Sequence, residues 1–387
     1  MKRETGKFFV SNVSGEEVRA FIPNPLPPVP SLQIDSKLQT LLDDSLLALG
    51  RLDSATIFLP NISLFLYQYV RKEAILTSQI EGTQSSLSDL MLYELQENPG
   101  VPIDDVEEVS CYVNALQYGI KRIKEGFPLS LRLIKEIHSK LLLSGRGSDK
   151  EPGEFRHSQN WIGGTRPGNA RFVPPPPHEL MNCLDPFEKF LHDMPHATSP
   201  LIKAALAHVQ FETIHPFLDG NGRVGRLLIT LIFCSTKTLR EPLLYPSLYF
   251  KEHRDEYYSL LQKVRESGDW EAWLSFFAMA IKDTAQDAVQ RACALNELVA
   301  SDKQKVLRIS RKGPVLLTLL TELSAFPIQT IKKIAEQTGL VPNTITNALA
   351  SLIELGIVKE MTGKKRNRLF IYQGYFDTLN RSGNWNP

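Results

Sequence analysis

The segment HPFLDGNGRVGR, residues 215–226, places one histidine, one aspartate and two arginines around a Gly-Asn-Gly turn. Apolar residues recur at helical spacing on both sides of the segment, at 201–214 and again after Gly222. Because Pro216 disfavours helix at His215, we expect one helix to end near Ile214 and another to begin at about Gly222. The segment is therefore predicted to be a tight loop between two helices.

The turn residues Gly220, Asn221 and Gly222 are predicted to lie at a helix N-terminus, where backbone N–H groups lack partners within the helix. Such a turn binds anions, since it combines free donors with the positive end of the helix dipole, and glycine lets a phosphate come close. Arg223 and Arg226 lie three positions apart on the same helix, and two guanidinium groups suit a polyphosphate. The pattern indicates a site for nucleotide phosphates.

Two further side chains of the segment fit the same chemistry. Asp219 is placed to hold Mg²⁺ between phosphate oxygens. A neutral imidazole at His215 can take the proton from a hydroxyl group that attacks phosphorus. Each of these short patterns is usually structural when it occurs alone. Their combination within one segment predicts a site for a magnesium-bound nucleotide beside a general base.

Composition places the chain among soluble globular proteins. Its 387 residues suffice for two or three domains, and 42% are hydrophobic while 22% are charged. The N-terminus MKRETGKFFV has no long apolar run, and no stretch reaches the length of a membrane span, so we expect a cytoplasmic protein without a membrane anchor. The cysteines are far apart, form no CxxC pair and are expected to be free thiols rather than zinc ligands: Cys111, Cys183, Cys234 and Cys293.

Helical periodicity dominates the chain up to about residue 300. The segment 151–177 differs, because its glycines and prolines exclude a long helix, and extended pieces at 159–162 and 171–173 predict a small β-hairpin. Residues 1–35 carry little periodic pattern, and PNPLPPVP at 23–30 is typical of a polyproline-type connector. We expect a mainly α fold with helices at 62–82, 104–123, 129–143, 186–192, 201–214, 253–264 and 270–298.

The C-terminal segment is a basic unit with a different pattern. The stretch from Asp302 to Pro387 contains thirteen Lys and Arg and six Asp and Glu. Its net charge is +7, which leaves −6 for the rest of the chain. Helices at 315–323, 328–338 and 343–355, followed by the basic turn GKKRNR and a strand at 369–372, predict a winged helix-turn-helix domain.

DNA is one partner that this C-terminal unit could bind. The residues expected to face a DNA groove are Asn343, Thr344, Thr346 and Asn347, and those expected to contact phosphates are Lys364, Lys365, Arg366 and Arg368. No base-reading code is visible, and many winged-helix domains bind proteins or dimerise instead, so the choice between DNA and protein stays open.

The central segment matches HPFx(D/E)GNGRxxR without a gap and resembles the Fic (filamentation induced by cAMP) family. Further similar stretches between about residues 30 and 300 are QNWIGG, FVPPPP, AHVQFETIHPF and DEYYSLL. The resemblance implies an all-α core with a β-hairpin flap, and transfer of AMP from ATP to a protein hydroxyl with release of pyrophosphate. Three parts are therefore expected. Residues 1–100 form an N-terminal segment that contains an inhibitory helix at about 62–82. Residues 101–300 form the Fic core, and residues 301–387 form the winged helix-turn-helix domain.

Roles carried over by position follow from this resemblance. His215 would be the base for the target hydroxyl and Asp219 the Mg²⁺ ligand, while Arg226 would hold the γ-phosphate. Tyr258, with Tyr257, would border the adenine, although two core tyrosines on a helix give the same pattern. The flap at 159–172 would pair with the backbone of a target protein. The residues implied in ATP binding are Glu81, His215, Gly220, Asn221, Gly222, Arg223, Val224, Gly225, Arg226 and Tyr258.

A second motif, TSQIEG from Thr77 to Gly82, resembles the family's inhibitory pattern (S/T)xxxE(G/N). If Glu81 pairs with Arg226, the γ-phosphate loses its guanidinium partner and meets a repelling carboxylate. Two other interpretations remain open: a surface glutamate that closes a helix, and a base that aligns water to remove AMP from a modified protein. Relatives also imply a homodimer and self-modification, and some Fic cores transfer other phosphate-containing groups.

Overall fold

The computed structural model describes residues 3–13, 15–58, 62–95, 97, 99–308, 313–364 and 367–380. Over these residues the chain is mainly α-helical, as predicted, and it contains two small antiparallel sheets. The helices are α1 (Ser36–Phe58), α2 (Ile62–Ile80), α3 (Leu87–Glu94), α4 (Ile103–Lys124), α5 (Leu131–Leu141), α6 (Leu180–Leu191), α7 (Pro200–Ile214), α8 (Asn221–Ser235), α9 (Ser247–Glu252), α10 (Arg254–Ser267), α11 (Trp270–Leu307), α12 (Gly313–Ala325), α13 (Ile331–Thr338), α14 (Pro342–Glu354) and α15 (Gln373–Asn380). The strands are β1 (Gly6–Val13), β2 (Glu16–Pro23), β3 (Ile328–Thr330), β4 (Val358–Glu360) and β5 (Leu369–Tyr372).

Helices α7 and α8 form the centre of the core and pack against each other. Nearly every residue of α7 is buried, and α8 is buried from Asn221 to Phe233 except at Gly222. A helix that is apolar around most of its circumference is stable only inside a core. The long helix α11 packs against α7, where Trp273 donates its indole N–H to the carbonyl of Ala205 at 2.9 Å. The loop at 215–220 is therefore held between two helices that cannot shift independently.

The N-terminal residues form a β-hairpin that the weak periodicity of residues 1–35 did not predict. Strands β1 and β2 pair from Gly6 opposite Pro23 to Val13 opposite Glu16. The N–H of Phe21 in β2 also donates to the carbonyl of Val173 at 2.8 Å. The hairpin therefore contacts the segment beside the predicted flap, about 150 residues away in the chain, and no local pattern reveals this contact.

Helix α6 begins earlier than predicted. The sequence predicts a helix over 186–192, but α6 begins at Leu180 and contains Pro186, although an internal proline usually breaks a helix. Leu180, Leu184 and Phe187 are buried along one face, and this burial outweighs the missing backbone hydrogen bond. Among the helices of the described residues, none has the length and apolar character to cross a membrane.

The C-terminal elements follow the predicted order with two differences, one of which is the unpredicted helix α15 after β5. The second predicted helix, 328–338, begins only at Ile331, because 328–330 form strand β3, which pairs with β5 in a sheet ordered β3-β5-β4. The winged helix-turn-helix assignment stays a prediction, and the boundary expected at 300 falls within α11. Of the predicted phosphate contacts, Lys365 and Arg366 lie outside the described residues.

Candidate active site

The loop between α7 and α8 is closed by side-chain hydrogen bonds. His215 ends α7 in the left-handed conformation at φ +50°, and Gly220 precedes α8 at φ +77°. The Asn221 side chain accepts from the N–H of Phe217 at 2.9 Å and donates to its carbonyl at 2.8 Å. The predicted helix end at Ile214 is confirmed, and the second helix begins at Asn221, one residue from the expected position.

Buried Arg156, which sequence reasoning did not single out, holds the outer side of this loop. Its Nε donates to the carbonyl of His215 at 2.9 Å, and its Nη2 donates to the carbonyl of Pro175 at 2.5 Å. Its backbone N–H also donates to the carbonyl of Pro216 at 3.0 Å. One guanidinium thus ties the backbone of the loop to the segment that follows the flap.

His138 of α5 supports the other end of the loop. The N–H of Gly153 donates to its Nδ1 at 2.8 Å, so Nε2 carries the proton and donates to the carbonyl of Asp219 at 3.0 Å. Its ring stacks on Phe217 with 3.7 Å between the ring centroids, and burial lowers the pKa of His138 to about 4. This neutral histidine positions the turn, and no sequence pattern distinguishes it from an ordinary core residue.

A carboxylate lies at the N-terminus of α8, at the turn predicted to bind anions. A Cβ atom at Gly222 would lie 2.4 Å from Oε1 of Glu81 and 3.2 Å from Nη1 of Arg226. Because real Cβ atoms do not approach other atoms that closely, only glycine fits at position 222 while Glu81 is in place. The side chain of Glu81 therefore reaches the mouth of the helix.

The buried guanidinium of Arg226 is held by the TSQIEG motif. Its Nη2 donates to Oε1 of Glu81 at 2.5 Å, and its Nε donates to Oγ1 of Thr77 at 2.6 Å. Helix α2 ends at Ile80, and Gly82 at φ +102° turns the chain so that Glu81 faces α8. Burial opposes ionisation of Glu81, but the charge of Arg226 outweighs it and holds the pKa of Glu81 below its usual range. The motif and the central segment are therefore in direct contact.

Arg223 is also buried, and it is held by acidic residues. Its Nη1 lies 3.2 Å from Oε1 of Glu108 in α4, and its Nη2 lies 3.5 Å from Oδ1 of Asp219. The same Oδ1 accepts from the N–H of Gly220 at 2.5 Å. Sequence reasoning missed Glu108, which lies more than 100 positions before Arg223. Burial raises the pKa of Glu108 despite the nearby charge of Arg223.

Asp219 is the residue of this site that could bind a cation. Its carboxylate is about one third exposed, and only Oδ1 takes part in the hydrogen bonds above. Within the described part of the chain no three His, Cys, Asp or Glu side chains converge on a common metal position. A Mg²⁺ ion at Asp219 would therefore need oxygen ligands from a nucleotide, which fits the preference of Mg²⁺ for a few carboxylates combined with phosphates and water.

The imidazole of His215 is neutral, and its Nε2 has no hydrogen-bond partner among the residues that the structure describes. Burial, with the charges of Arg265 and Arg156 nearby, lowers the pKa of His215 to about 3. Its Nδ1 lies 3.4 Å from the carbonyl of Glu212, a geometry in which Nδ1 carries the proton. The Nε2 atom is then the basic nitrogen, as general base catalysis requires.

The predicted nucleotide contacts differ in exposure. Tyr258 is partly exposed, whereas Tyr257 is buried and donates its hydroxyl to Nε2 of His208 at 2.8 Å, as expected of a core tyrosine. Val224 is fully buried, and the carbonyl of Gly225 accepts from Nδ1 of His208 at 2.9 Å. Tyr258 is thus the accessible member of the tyrosine pair, while Val224 and Gly225 face the core.

The predicted hairpin at 159–172 pairs at one position. Ile162 and Phe172 exchange backbone hydrogen bonds of 2.8 and 3.1 Å, while Gly163 and Gly164, both at positive φ, turn the chain away from further pairing. Arg166 at the tip forms an ion pair of 2.8 Å with Glu16 of the N-terminal hairpin. The flap is therefore braced by a part of the chain that the sequence did not connect to it.

Comparison with known proteins agrees with this arrangement. Residues 39–121 match the model of the Fic/DOC family N-terminal region, and residues 128–233 match the model of the Fic/DOC family. The protein adenylyltransferases Fic of Drosophila grimshawi and Drosophila yakuba are each 32% identical over 209 residues, which are 54% of this chain and 39% and 38% of those relatives. The chain thus spans well under half the length of these curated relatives.

Solved structures share the fold. A Fic family protein from Desulfovibrio desulfuricans G20 superposes with a TM-score of 0.56 at 18% identity, covering 89% of this chain and 98% of that one. Fic-1 from C. elegans superposes with a TM-score of 0.50 at 23% identity, covering 68% of this chain and 74% of that one. Residues 39–121 and 128–233 of the chain thus match Fic/DOC family models, and the second of these stretches includes the loop at 215–221.

Proposed function

We propose that this protein transfers AMP from Mg-ATP to a Ser, Thr or Tyr hydroxyl of a protein, and that Glu81 restrains the reaction. The observation that carries the proposal is the joint placement of a neutral imidazole at His215 and a glycine-lined helix N-terminus on one rigid loop. The relatives named protein adenylyltransferase Fic support the same reaction.

The binding roles follow from the positions of the side chains. The backbone of 220–222, with Arg223, would receive the α- and β-phosphates, and Arg226 would hold the γ-phosphate. Asp219 would hold Mg²⁺, which when bound neutralises charge on the phosphate oxygens. Tyr258 would border the adenine, and any contact of Val224 or Gly225 with ATP would come from the backbone.

The chemical step is a displacement at the α-phosphorus. The target oxygen forms a bond to phosphorus, the bond to the pyrophosphate oxygen breaks, and the hydroxyl proton passes to Nε2 of His215. The flap at 159–172 would place the target chain beside His215 by backbone pairing. Arg156 keeps the loop carbonyls fixed, so the imidazole does not have to be ordered when the target arrives.

Restraint by Glu81 follows from competition for one site. Its carboxylate pairs with the guanidinium of Arg226 and lies against Gly222, where phosphate oxygens would have to lie. A bound triphosphate must therefore displace Glu81 or adopt a shifted position in which the α-phosphorus is misaligned with the attacking hydroxyl.

Mass spectrometry tests the proposal. Wild type and Glu81→Gly are incubated with Mg-ATP and cell lysate, and peptides are searched for the added mass of AMP, including peptides of the protein itself. We expect modified Ser, Thr or Tyr residues with Glu81→Gly and few with wild type. Absence of any AMP-modified peptide with both proteins would refute the proposal.

Removal of AMP in the same pocket is a second candidate, favoured by the partial exposure of the Glu81 carboxylate at the helix mouth. There Glu81 would take a proton from water, and His215 would return a proton to the leaving hydroxyl. Incubating AMP-modified target with wild type distinguishes the two, since a hydrolase releases AMP and an inhibited transferase does not.

DNA binding is a candidate for the C-terminal unit, favoured by the exposure of Asn343 and Asn347 at the start of α14. A mobility shift on duplex DNA that weakens with salt, and that disappears after truncation near Leu298, would support it. Unchanged migration at low salt would exclude it.

A further inference from the structure

Glu212, in the last turn of α7, is a buried acid that the reaction above does not use. Its Oε2 lies 3.9 Å from Nδ1 of His215, and its own carbonyl lies 3.4 Å from the same nitrogen. Its Oε1 is buried without a hydrogen-bond partner among the described residues. An unpartnered buried carboxyl oxygen is costly, so its retention here points to a role at the site.

The surrounding structure makes room for this carboxyl group and fixes its backbone. A Cβ atom at Gly225 would lie 2.4 Å from Oε1 of Glu212, so the second glycine of GRVGR is required by this contact. Arg265 of α10 donates to the carbonyl of Glu212 at 3.1 Å and to Oγ1 of Thr213 at 3.2 Å. Arg265 therefore holds the last turn of α7, and the carboxyl group of Glu212 lies between Gly225 and the imidazole of His215.

We infer that Glu212 is a positioning residue for His215. Its carboxylate accepts a hydrogen bond from the Nδ1–H of His215 and stabilises the imidazolium that forms when Nε2 takes the proton of the target hydroxyl. The inference rests on the proposed function. Shortening the separation of 3.9 Å to hydrogen-bond length needs a side-chain movement of only about 1 Å. Glu212 itself takes no proton; it keeps the imidazole in the tautomer that leaves Nε2 basic.

The environment of His215 explains why its imidazole needs the carboxylate of Glu212 beside it. Burial lowers the pKa of His215 to about 3, which makes its imidazole a weak base at neutral pH. An ionised carboxylate beside Nδ1 raises the pKa of His215 and so makes its imidazole a stronger base. Burial raises the pKa of Glu212 to about 7. The positive charges of Arg226 and Arg265 lower this pKa, and the negative charge of Glu81 raises it, but burial is the largest effect.

The remaining groups that face Glu212 are the hydroxyls of Tyr257 and Tyr258 and the neutral imidazole of His208. Their own pKa values are displaced away from neutral pH, because burial raises those of the two tyrosines and lowers that of His208 to about 3. Among these four groups, Glu212 is therefore the one expected to ionise near neutral pH.

The test compares Glu81→Gly with the double variant Glu81→Gly/Glu212→Gln, since the amide resembles the protonated acid in shape. At pH 8.5 we expect the kcat of AMP transfer to fall at least 10-fold, with the KM for ATP changed less than 3-fold. At pH 5.5, where Glu212 is protonated, the two proteins should differ less than 3-fold. Glu266→Gln, an exposed acid on α10, is the matched control and should leave both constants unchanged.

A second measurement does not depend on turnover. The ¹⁵N resonances of the His215 ring, assigned with His215→Ala, are followed from pH 5.5 to 8.5 in Glu81→Gly and in the double variant. We expect the Nδ1 resonance to shift within this pH range in the parent, as Glu212 ionises, and to stay constant in the double variant.

The outcomes separate the two proposals. If Glu81→Gly transfers no AMP, the proposed function fails, and the ring resonances still decide the role of Glu212. Identical ring resonances and identical pH profiles in folded parent and double variant, with folding checked by circular dichroism, would overturn the inference.

Discussion

Oε1 of Glu81 accepts a hydrogen bond of 2.5 Å from Nη2 of Arg226, although the two residues lie 145 positions apart in the chain. Arg226 is buried, so this pair lies largely out of water, where a charge-assisted hydrogen bond is stronger than at the surface. The same carboxylate lies against Gly222 at the N-terminus of α8. One side chain thus pairs with the guanidinium and fills space at the helix N-terminus that a phosphate would need.

Replacing Glu81 by glycine is expected to raise the rate of AMP transfer at least 10-fold, because it frees Arg226 and the mouth of α8. Each factor of ten corresponds to about 1.4 kcal/mol in the activation free energy. Glu81→Gln, which keeps the shape but removes the charge, should give an intermediate rate. Incorporation of radiolabelled AMP measures all three proteins, with Glu125→Gly at the exposed end of α4 as the control. Equal rates in wild type and Glu81→Gly would contradict restraint by Glu81.

Gly222→Ala in the Glu81→Gly background is expected to weaken binding of Mg-ATP at least 10-fold. The added Cβ would lie 3.2 Å from Nη1 of Arg226 and would fill the space that the phosphates need. Isothermal titration calorimetry gives the dissociation constants. Gly50→Ala is the matched control, because a Cβ on this helical glycine meets open space. Unaltered affinity in Gly222→Ala would place the phosphates elsewhere.

Removing the imidazole should separate chemistry from binding. We expect His215→Ala, in the Glu81→Gly background, to lose at least 100-fold in AMP transfer, since general base catalysis contributes about 10²–10⁴-fold. The affinity for Mg-ATP should change less than 3-fold, because the phosphate donors come from 220–226. Transfer assays and calorimetry on the same preparation check both points. A variant that keeps its rate would mean that another group takes the proton.

Glu73 in α2 is expected to make stability depend on pH. It is buried, accepts from the hydroxyl of Ser247 at 2.5 Å, and burial raises its pKa to about 8. Between its unfolded pKa of about 4.3 and this value, the unfolded chain releases a proton that the folded protein keeps, so stability falls as pH rises through this window.

Glu73→Gln should remove that loss. The quantity to compare is the free energy of unfolding of the variant minus that of wild type. This difference is expected to be at least ~1 kcal/mol larger at pH 8 than at pH 5, since one unit of pKa shift is worth about 1.4 kcal/mol. Urea unfolding at the two pH values measures the difference. A constant difference between the proteins at both pH values would show that Glu73 does not keep its proton.

The sequence by itself determined the features that depend on neighbouring residues. Proline after His215 and glycines on both sides of Asn221 set where one helix ends and the next begins, because backbone sterics act over a few residues. The spacing of apolar residues predicted most helices for the same reason. The TSQIEG motif identified Glu81, although its contact with Arg226 stayed an expectation until the two were seen together.

Tertiary structure alone decided which distant groups meet at the loop. Arg156, His138, Glu108 and Glu212 hold or surround the site, yet each is a single residue in an ordinary helical or loop context. The N-terminal hairpin and its contact with the flap were likewise absent from the local pattern. These partners are chosen by how helices and strands pack over long separations, and the resulting burial and charge fix the ionisation of His215.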